Sequence, residues 1–356
     1  MMLVINTGSS SVKFKLYKNN GKLLEVFSGS IDNIASMERE FVKAAMKILS
    51  ELNLYINDIK VVAYRVVHSG GVLKDGVRAT DSVVDHILKF DKLAPLHNLR
   101  AALIIQSLKK ILPKALHLCY FDTTFYQSLP KSESIYPINL AISEKFNLRR
   151  YGFHGISHQF AYSESRAKST EKVISIHLGA GCSVTAISGG KAVATSMGFT
   201  PLSGIVMQTR SGDIDPGLVL YLAEMLGIKG TQELLSNKSG LAGLTDSSGS
   251  MLDVLYLAGE KIEEKNYTPS KDLRKSKKSY DAAQLSLDIY CNSIVKYIGS
   301  YSALMGGVDR VIIGGKIGFG SSVIRRKILS RIKFLKIKKI NIVDSNEELA
   351  IAKKVK

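Results

Sequence analysis

Residues 2–17 read MLVINTGSSSVKFKLY, and residues 173–187 read VISIHLGAGCSVTAI. Each is an apolar run, a turn of small residues, and a second run with apolar positions. Val- and Ile-rich runs broken by small residues predict strand, tight turn and returning strand. Ser11-Val12 of the first hairpin and Ser183-Val184 of the second hold corresponding places. The chain therefore carries a weak internal duplication, with one hairpin opening each half; no short-period repeat accompanies it.

The segments around these hairpins follow one grammar. Residues 38–52 put Phe41, Ala44, Ala45, Ile48 and Leu49 at helical spacing. An apolar strand at 61–67 runs into His68-Ser69-Gly70-Gly71. A helix is predicted at 99–111 and a strand at 116–121, ending at Asp122. In the second half, 188–190 turns into a strand at 191–195. A strand at 310–313 runs into Gly314-Gly315, with a helical segment around 323–328. Strands alternating with helices predict an α/β chain.

The 356 residues are 45% hydrophobic, enough to bury two domain cores. The three cysteines, Cys119, Cys182 and Cys291, are far apart and lack CxxC spacing, so neither a zinc site nor a disulfide framework follows. A reducing compartment fits them. The first residues have no basic segment leading into a long apolar one, and no run approaches the roughly 18 apolar residues of a membrane span. The expectation is a cytoplasmic protein with no membrane partner. The net charge of +18 is concentrated partly in KDLRKSKK (271–278) and RRKILSRIKFLKIKK (325–339). A nucleic-acid surface is one reading of these clusters. Solvated Lys-rich faces are the favoured one, and the excess charge also suits anionic substrates.

Several motifs could carry chemistry. Asn6-Thr7-Gly8-Ser9-Ser10-Ser11, with Lys13 beyond it, offers backbone N–H groups, hydroxyls and a charge to phosphate oxygens; an ordinary hairpin turn is the alternative. His177-Leu178-Gly179-Ala180-Gly181 and Gly314-Gly315 are further glycine turns at strand ends. Neither a GxxxxGK[ST] loop nor a GxGxxG fingerprint occurs, which argues against P-loop and Rossmann enzymes. Arg65, at the end of the apolar strand in YRVVHSGG, and Arg210, among Ser, Gly and Asp in MQTRSGDIDPG, are candidate clamps for phosphate or carboxylate. For Arg210 the alternative is an ion pair with Asp213 or Asp215. His154 and His158 have i, i+4 spacing, but the zincin Glu is missing, so hydrogen bonding to a transferring phosphoryl group fits better than metal ligation. His97 and His177 read as core histidines. Asp122, at the carboxyl end of a strand, either faces a ligand crevice or caps a turn.

Taken together, these segments resemble the acetate kinase family. The matching stretches are INTGSSSVKF, YRVVHSGG, LAPLHN, FDTTF with Gln127, RRYGFHGISH, ISIHLGAGCSV, TSMGFTPLSGIVMQTRSGDIDPG, SGLAGLT, ALMGGVD and NEELAIA, in the family's order from residue 3 to 352. The resemblance implies two ribonuclease H-like (actin-like ATPase) domains with a cleft between them. One domain would hold 1–120, completed by 346–356, and the other 121–345, with the nucleotide and dimer surfaces. It also implies a homodimer and a reversible transfer between ATP and acetate, giving acetyl phosphate and ADP.

The roles that the resemblance carries over are these. Asn6 and Glu347 would hold Mg²⁺ (or Mn²⁺). Lys13 with Ser9, Ser10 and Ser11 would meet the nucleotide phosphates, and His177, Leu178, Gly179, Ala180 and Gly181 would lie along them. Arg65 and Arg210 would grip the carboxylate and the transferring phosphoryl group, His154 would stabilise that group in flight, and Asp122 would be the acidic catalytic residue. Val67, Leu96, Phe153 and Pro201 would form a small acyl pocket. Ser250, Met251, Leu252, Lys316, Ile317, Gly318, Phe319 and Gly320 would form the base-side wall.

Five departures from the family pattern fall on the nucleotide side. Ala180 stands where Asn is usual, Ser250 and Leu252 where Asp and Arg are usual, and Lys316 and Phe319 where Gly and Glu are usual. Tyr126 for His and Leu99 for Pro are milder changes, and the stretch between Arg326 and Asp344 is trimmed. Three readings follow: ATP with looser adenine contacts, a different phosphoryl donor such as another nucleotide or pyrophosphate, or a catalytically silent scaffold. The first is favoured, because the transfer residues are all present. A propionate or butyrate kinase is the alternative acceptor reading.

Overall fold

The computed structural model describes residues 1–8, 11–32, 38–93, 97–270 and 273–355. The chain divides into two compact units. The first is Met1–Gln127, Phe153–Phe160 and Asn346–Lys356; the second is Ser128–Gly152 and Ala161–Ser345. The first unit takes in 121–127 and 153–160, which the boundary at residue 120 assigned to the second half. The reason is local: the Asp122 N–H continues the sheet ladder to the Val66 carbonyl at 3.1 Å, and the Gly155 N–H binds the Asp122 carbonyl at 2.9 Å.

The first unit is built on a sheet of β1 (Met2–Thr7), β2 (Ser11–Asn19), β3 (Leu23–Asp32), β4 (Val61–Val66), β5 (Val77–Arg78) and β6 (Leu116–Phe121), ordered β3-β2-β1-β4-β6-β5. β1 is buried at every residue, and its apolar run from Met2 to Ile5 is that of a strand covered on both faces. β2 alternates because only one of its faces is covered. Leu3, Ile5, Phe14, Leu16, Val62 and Tyr64 pack with Phe41 and Ile48 of the helix Glu38–Glu51 and with Ile104 and Ile105 of the helix Asn98–Ile111. Each such side chain contributes about 1.5–3 kcal/mol on burial.

The second unit repeats the plan with β7 (Val173–Leu178), β8 (Cys182–Ser188), β9 (Lys191–Thr195), β10 (Arg310–Gly314) and β11 (Lys339–Ile342), ordered β11-β10-β7-β8-β9. In both sheets an antiparallel meander of three strands is followed by two parallel strands added beside the first. The two hairpins read from the sequence are thus the openings of two like-ordered mixed α/β sheets. The long helix Lys277–Leu304 starts on a capping box, with the Ser276 hydroxyl accepting from the Ser279 N–H at 3.0 Å. It buries Ala283, Leu287, Tyr290, Ile294, Ile298 and Tyr301 at helical spacing.

Candidate active site

In the first unit, three neighbouring parallel strands deliver three polar side chains at their carboxyl ends. Asn6 of β1 is the register partner of Arg65 of β4, and Asp122 follows the last residue of β6. Arg65 donates to both oxygens of Asp122, from Nε at 3.2 Å and from Nη2 at 2.7 Å. Its Nη1 reaches Glu347 Oε2 at 2.6 Å and Asn6 Oδ1 at 3.0 Å. The helix Glu347–Lys354 presents two carboxylates in its first turn, where the helix dipole favours negative charge. The Asn6 amide binds both: Nδ2 donates to Glu347 at 3.0 Å and to Glu348 at 2.6 Å. Ser157 donates to Glu347 at 3.2 Å.

Two carboxylates therefore pair with one guanidinium, and a third, Glu348, adds its charge nearby. Burial pushes the Asp122 carboxyl above the usual carboxylate range; the Arg65 charge opposes this, and Glu347 and Asp75 add to it. Burial alone would lower Arg65, but Asp122, Glu347 and Glu348 more than reverse that and hold it firmly charged. The excess of carboxylate oxygen fits a hard divalent cation. Among the described residues no group of three or more His, Cys, Asp or Glu could cage a metal. Asn6 and Glu347 offer an amide carbonyl oxygen and a carboxylate oxygen, the ligand types that a hard divalent cation takes.

His154 adopts a left-handed backbone at φ 58, uncommon for a residue with a side chain. The cause is Gly155: a Cβ there would meet the Asp122 carbonyl oxygen at 2.2 Å and Phe125 Cβ at 2.8 Å. This close approach fixes His154 in the chain next to the Asp122 backbone. Tyr126, buried, donates to the Phe153 carbonyl at 2.9 Å, so this departure from the family pattern holds the same turn. Val67 and Phe153 are buried, and the Phe153 ring lies 5.7 Å from that of His68, the neighbour of Val67. Burial lowers His68 to about 4, so it is neutral at physiological pH. Lys13 is exposed opposite Asn6 in the β1–β2 ladder. The Gly8 N–H closes the turn onto the Ser11 carbonyl at 2.7 Å. Ser9, Ser10 and Leu96 lie outside the described residues.

The second unit carries the other candidates. Arg210 Nη1 donates to the Pro201 carbonyl at 3.2 Å, and burial lowers its pKa. The alternative partners of Arg210 are engaged elsewhere. Asp213 accepts from the Gly204 N–H at 2.7 Å and from the Tyr297 hydroxyl, and Asp215 caps the helix Pro216–Asn237. Arg210 Nη1 also contacts the Met207 sulfur at 3.7 Å, and no carboxylate is among the groups that shift the Arg210 pKa, which suits the guanidinium to a bound anion. His177 and Leu178 end β7, Gly179 turns onto the Gly181 carbonyl at 3.1 Å, and Ala180 is exposed. Gly315 needs its glycine, since a Cβ would meet the Leu178 carbonyl at 2.3 Å.

Ser250 holds the N-cap position of the helix Met251–Leu257 without a side-chain cap bond; Met251 turns into the core while Leu252 stays half-buried. Lys316, Phe319 and Gly320 of the helix Gly315–Gly320 are exposed, Ile317 is half-buried and Gly318 is buried. Sequence reading missed Glu348 as a site residue. Its signal was available in the doubled acid of NEELAIA, opening a helix next to an Asn-bearing strand.

The Acetokinase family profile matches residues 39–352. An acetate kinase of Geobacillus kaustophilus is 33% identical, covering 99% of this chain and 98% of that protein. An acetate kinase of Acetivibrio thermocellus is 35% identical over 95% of this chain and 88% of its own length. Among solved structures, an acetate kinase of Porphyromonas gingivalis superposes with a TM-score of 0.85 at 28% identity, covering 99% and 98% of the two chains. A propionate kinase of Francisella tularensis gives 0.82 at 29% identity with the same coverage. With two mixed sheets of the same order, a site at the carboxyl ends of β1, β4 and β6, and a profile match over most of its length, the chain belongs to the acetokinase family.

Proposed function

We propose that this chain is an acetate kinase, transferring the γ-phosphoryl group of ATP reversibly to acetate. The observation that carries the reading is the set around Arg65: a charged guanidinium held on two sides by Asp122 and Glu347, at strand ends shared with Asn6. The acceptor is a carboxylate already ionised at neutral pH, so no strong general base is required. Transfer between two anions calls for positioning and for fixed positive charge around the equatorial oxygens. Arg65 and Arg210 supply that charge, His154 donates a hydrogen bond to the group in transit, and Lys13 meets the donor phosphates. Asp122 acts by orienting Arg65, since both its oxygens are engaged with that guanidinium. Mg²⁺, held by Asn6 and Glu347, would neutralise phosphate charge. Val67, Phe153, Leu96 and Pro201 bound the acyl group. His177 to Gly181, Ser250 to Leu252 and Lys316 to Gly320 line the donor.

The working form is a homodimer in the cytoplasm. Three buried free thiols suit a reducing compartment. The helical segment Pro216–Asn237, broken at Gly227, exposes Leu220, Tyr221 and Met225 before the break and Ile228 just after it, a surface that a second copy would cover. The test is ATP formation from ADP and acetyl phosphate, read through hexokinase. Turnover that needs Mg²⁺ and is lost in Arg65→Ala supports the reading; no ATP from folded protein rejects it.

A further inference from the structure

The three stretches on the donor side where this chain departs from its family are tied together by groups outside them. Gln208 stands at the first junction. Its N–H donates to the Ala180 carbonyl at 3.2 Å, its carbonyl accepts from the Ala242 N–H at 2.9 Å, and its side-chain Nε2 donates to the Ser248 carbonyl at 3.1 Å. Gly249 lies so close that a Cβ would meet the Gln208 carbonyl oxygen at 2.4 Å, and its φ of +68 is of the kind glycine adopts freely.

Asp253 is the second junction. It is buried, and three hydroxyls converge on it: Ser248 at 2.6 Å, Tyr267 at 2.6 Å and Ser270 at 2.7 Å. Burial works to raise its pKa, yet these hydroxyls hold it below the usual range. The Ser248 hydroxyl also accepts from the Ser250 N–H at 3.0 Å, which sets the start of the helix carrying Leu252. Tyr267 and Ser270 belong to the 258–270 stretch, which holds turns but no helix or strand. That stretch reaches on through Glu263, which accepts from the Ser322 N–H at 2.9 Å. Ser322 opens the helix whose Arg325 donates to the carbonyls of Gly318 at 2.8 Å and Phe319 at 2.5 Å.

We propose that Gln208 and Asp253 are positioning residues of the phosphoryl-donor site. Gln208 locks the 179–181 turn to the 248–250 turn, and the 258–270 stretch, clipped onto Asp253, is a strap that holds the 316–320 segment in the same frame. The assignment of these three segments to the donor rests on the function proposed above. The clasp sets how tightly the donor binds and leaves acetate binding alone.

The test uses the full-length protein with two variants. Gln208→Glu keeps the shape and removes the N–H that faces the Ser248 carbonyl; Asp253→Asn keeps the size and removes the charge that gathers three hydroxyls. Hydrogen exchange on the ligand-free protein is expected to rise over 246–252 in both variants, and over 264–270 in Asp253→Asn, with β7 and β10 unchanged. The KM for ATP is expected to rise about three- to tenfold, the worth of one hydrogen bond lost from a bound state, with the KM for acetate and kcat at saturating ATP within about twofold. Unchanged exchange in both variants overturns the clasp. Raised exchange with an unchanged KM for ATP, or with an equal rise in the KM for acetate, overturns its role at the donor site. A wild-type protein inactive with ATP overturns the functional reading instead, and the exchange result still decides whether the clasp exists.

Discussion

Arg65 and Asp122 form a two-pronged pair, Nε to one carboxylate oxygen at 3.2 Å and Nη2 to the other at 2.7 Å, across the carboxyl ends of β4 and β6. With both its oxygens committed to one guanidinium, Asp122 works through Arg65. Asp122→Asn keeps the shape and removes the charge. The expected result is a fall in kcat of about 10²–10³-fold, the scale for losing an electrostatic element of a transfer site. A kcat within threefold of wild type would remove Asp122 from the account.

Gly155 is the second point of leverage. In Gly155→Ala the new methyl would meet the Asp122 carbonyl oxygen at 2.2 Å, so the turn bearing His154 must move. Urea unfolding should show a loss of about 1–3 kcal/mol, the usual cost of overpacking. Activity should fall with it. Tyr126→Phe, which removes only the hydrogen bond to the Phe153 carbonyl, should cost about 1 kcal/mol.

These two relationships show how far the sequence carries. Asn6, Arg65 and Asp122 were legible as polar residues at the ends of apolar runs, because central strands covered on both faces leave only their ends for chemistry. The hairpins, and with them the class of fold, followed from Val/Ile runs broken by small residues. What the sequence hid was side-chain direction and long-range pairing. The doubled acid of NEELAIA marks Glu348 as a candidate but not its partner, Asn6, which lies 342 positions away in the chain. The choice for Arg210 between an aspartate and an anion was likewise undecidable until Asp213 and Asp215 were seen bonded to Gly204, Tyr297 and a helix N-terminus. The helical segment Pro216–Asn237 is hard to read locally: it breaks at Gly227, and its first part is apolar nearly all round, without the one-sided stripe that marks a surface helix.

Stability at low pH should depend on Glu171. Its bonds to Arg310 and Lys339 hold its carboxyl down at about 2, against an ordinary 4.5. A folded-state pKa below the unfolded one gives stabilisation that is complete above about 4.5 and is lost as pH falls towards 2. The urea midpoint of wild type should drop between pH 5 and pH 3 by more than that of Glu171→Gln. Parallel curves would show the pair to be without effect on stability.

The exposed helix Pro216–Asn237 is expected to hold two copies together. Leu220 is 68% exposed and Ile228 is 80% exposed, too much apolar surface for a helix facing water alone. Sedimentation should find wild type as a dimer and the Leu220→Glu/Ile228→Glu double variant as a monomer. A monomeric wild type, or a dimeric double variant, would place the interface elsewhere or remove it.

The central claim is phosphoryl transfer to a carboxylate, and trapping of acyl phosphate by hydroxylamine tests it most directly. Purified protein would be given acetate, Mg²⁺ and, in parallel, ATP, GTP or pyrophosphate, beside Arg65→Ala and Arg210→Ala. The account predicts acetyl hydroxamate with ATP from wild type, reduced by about 10²-fold or more in each variant. No hydroxamate with any donor, from protein shown to be folded, would contradict it.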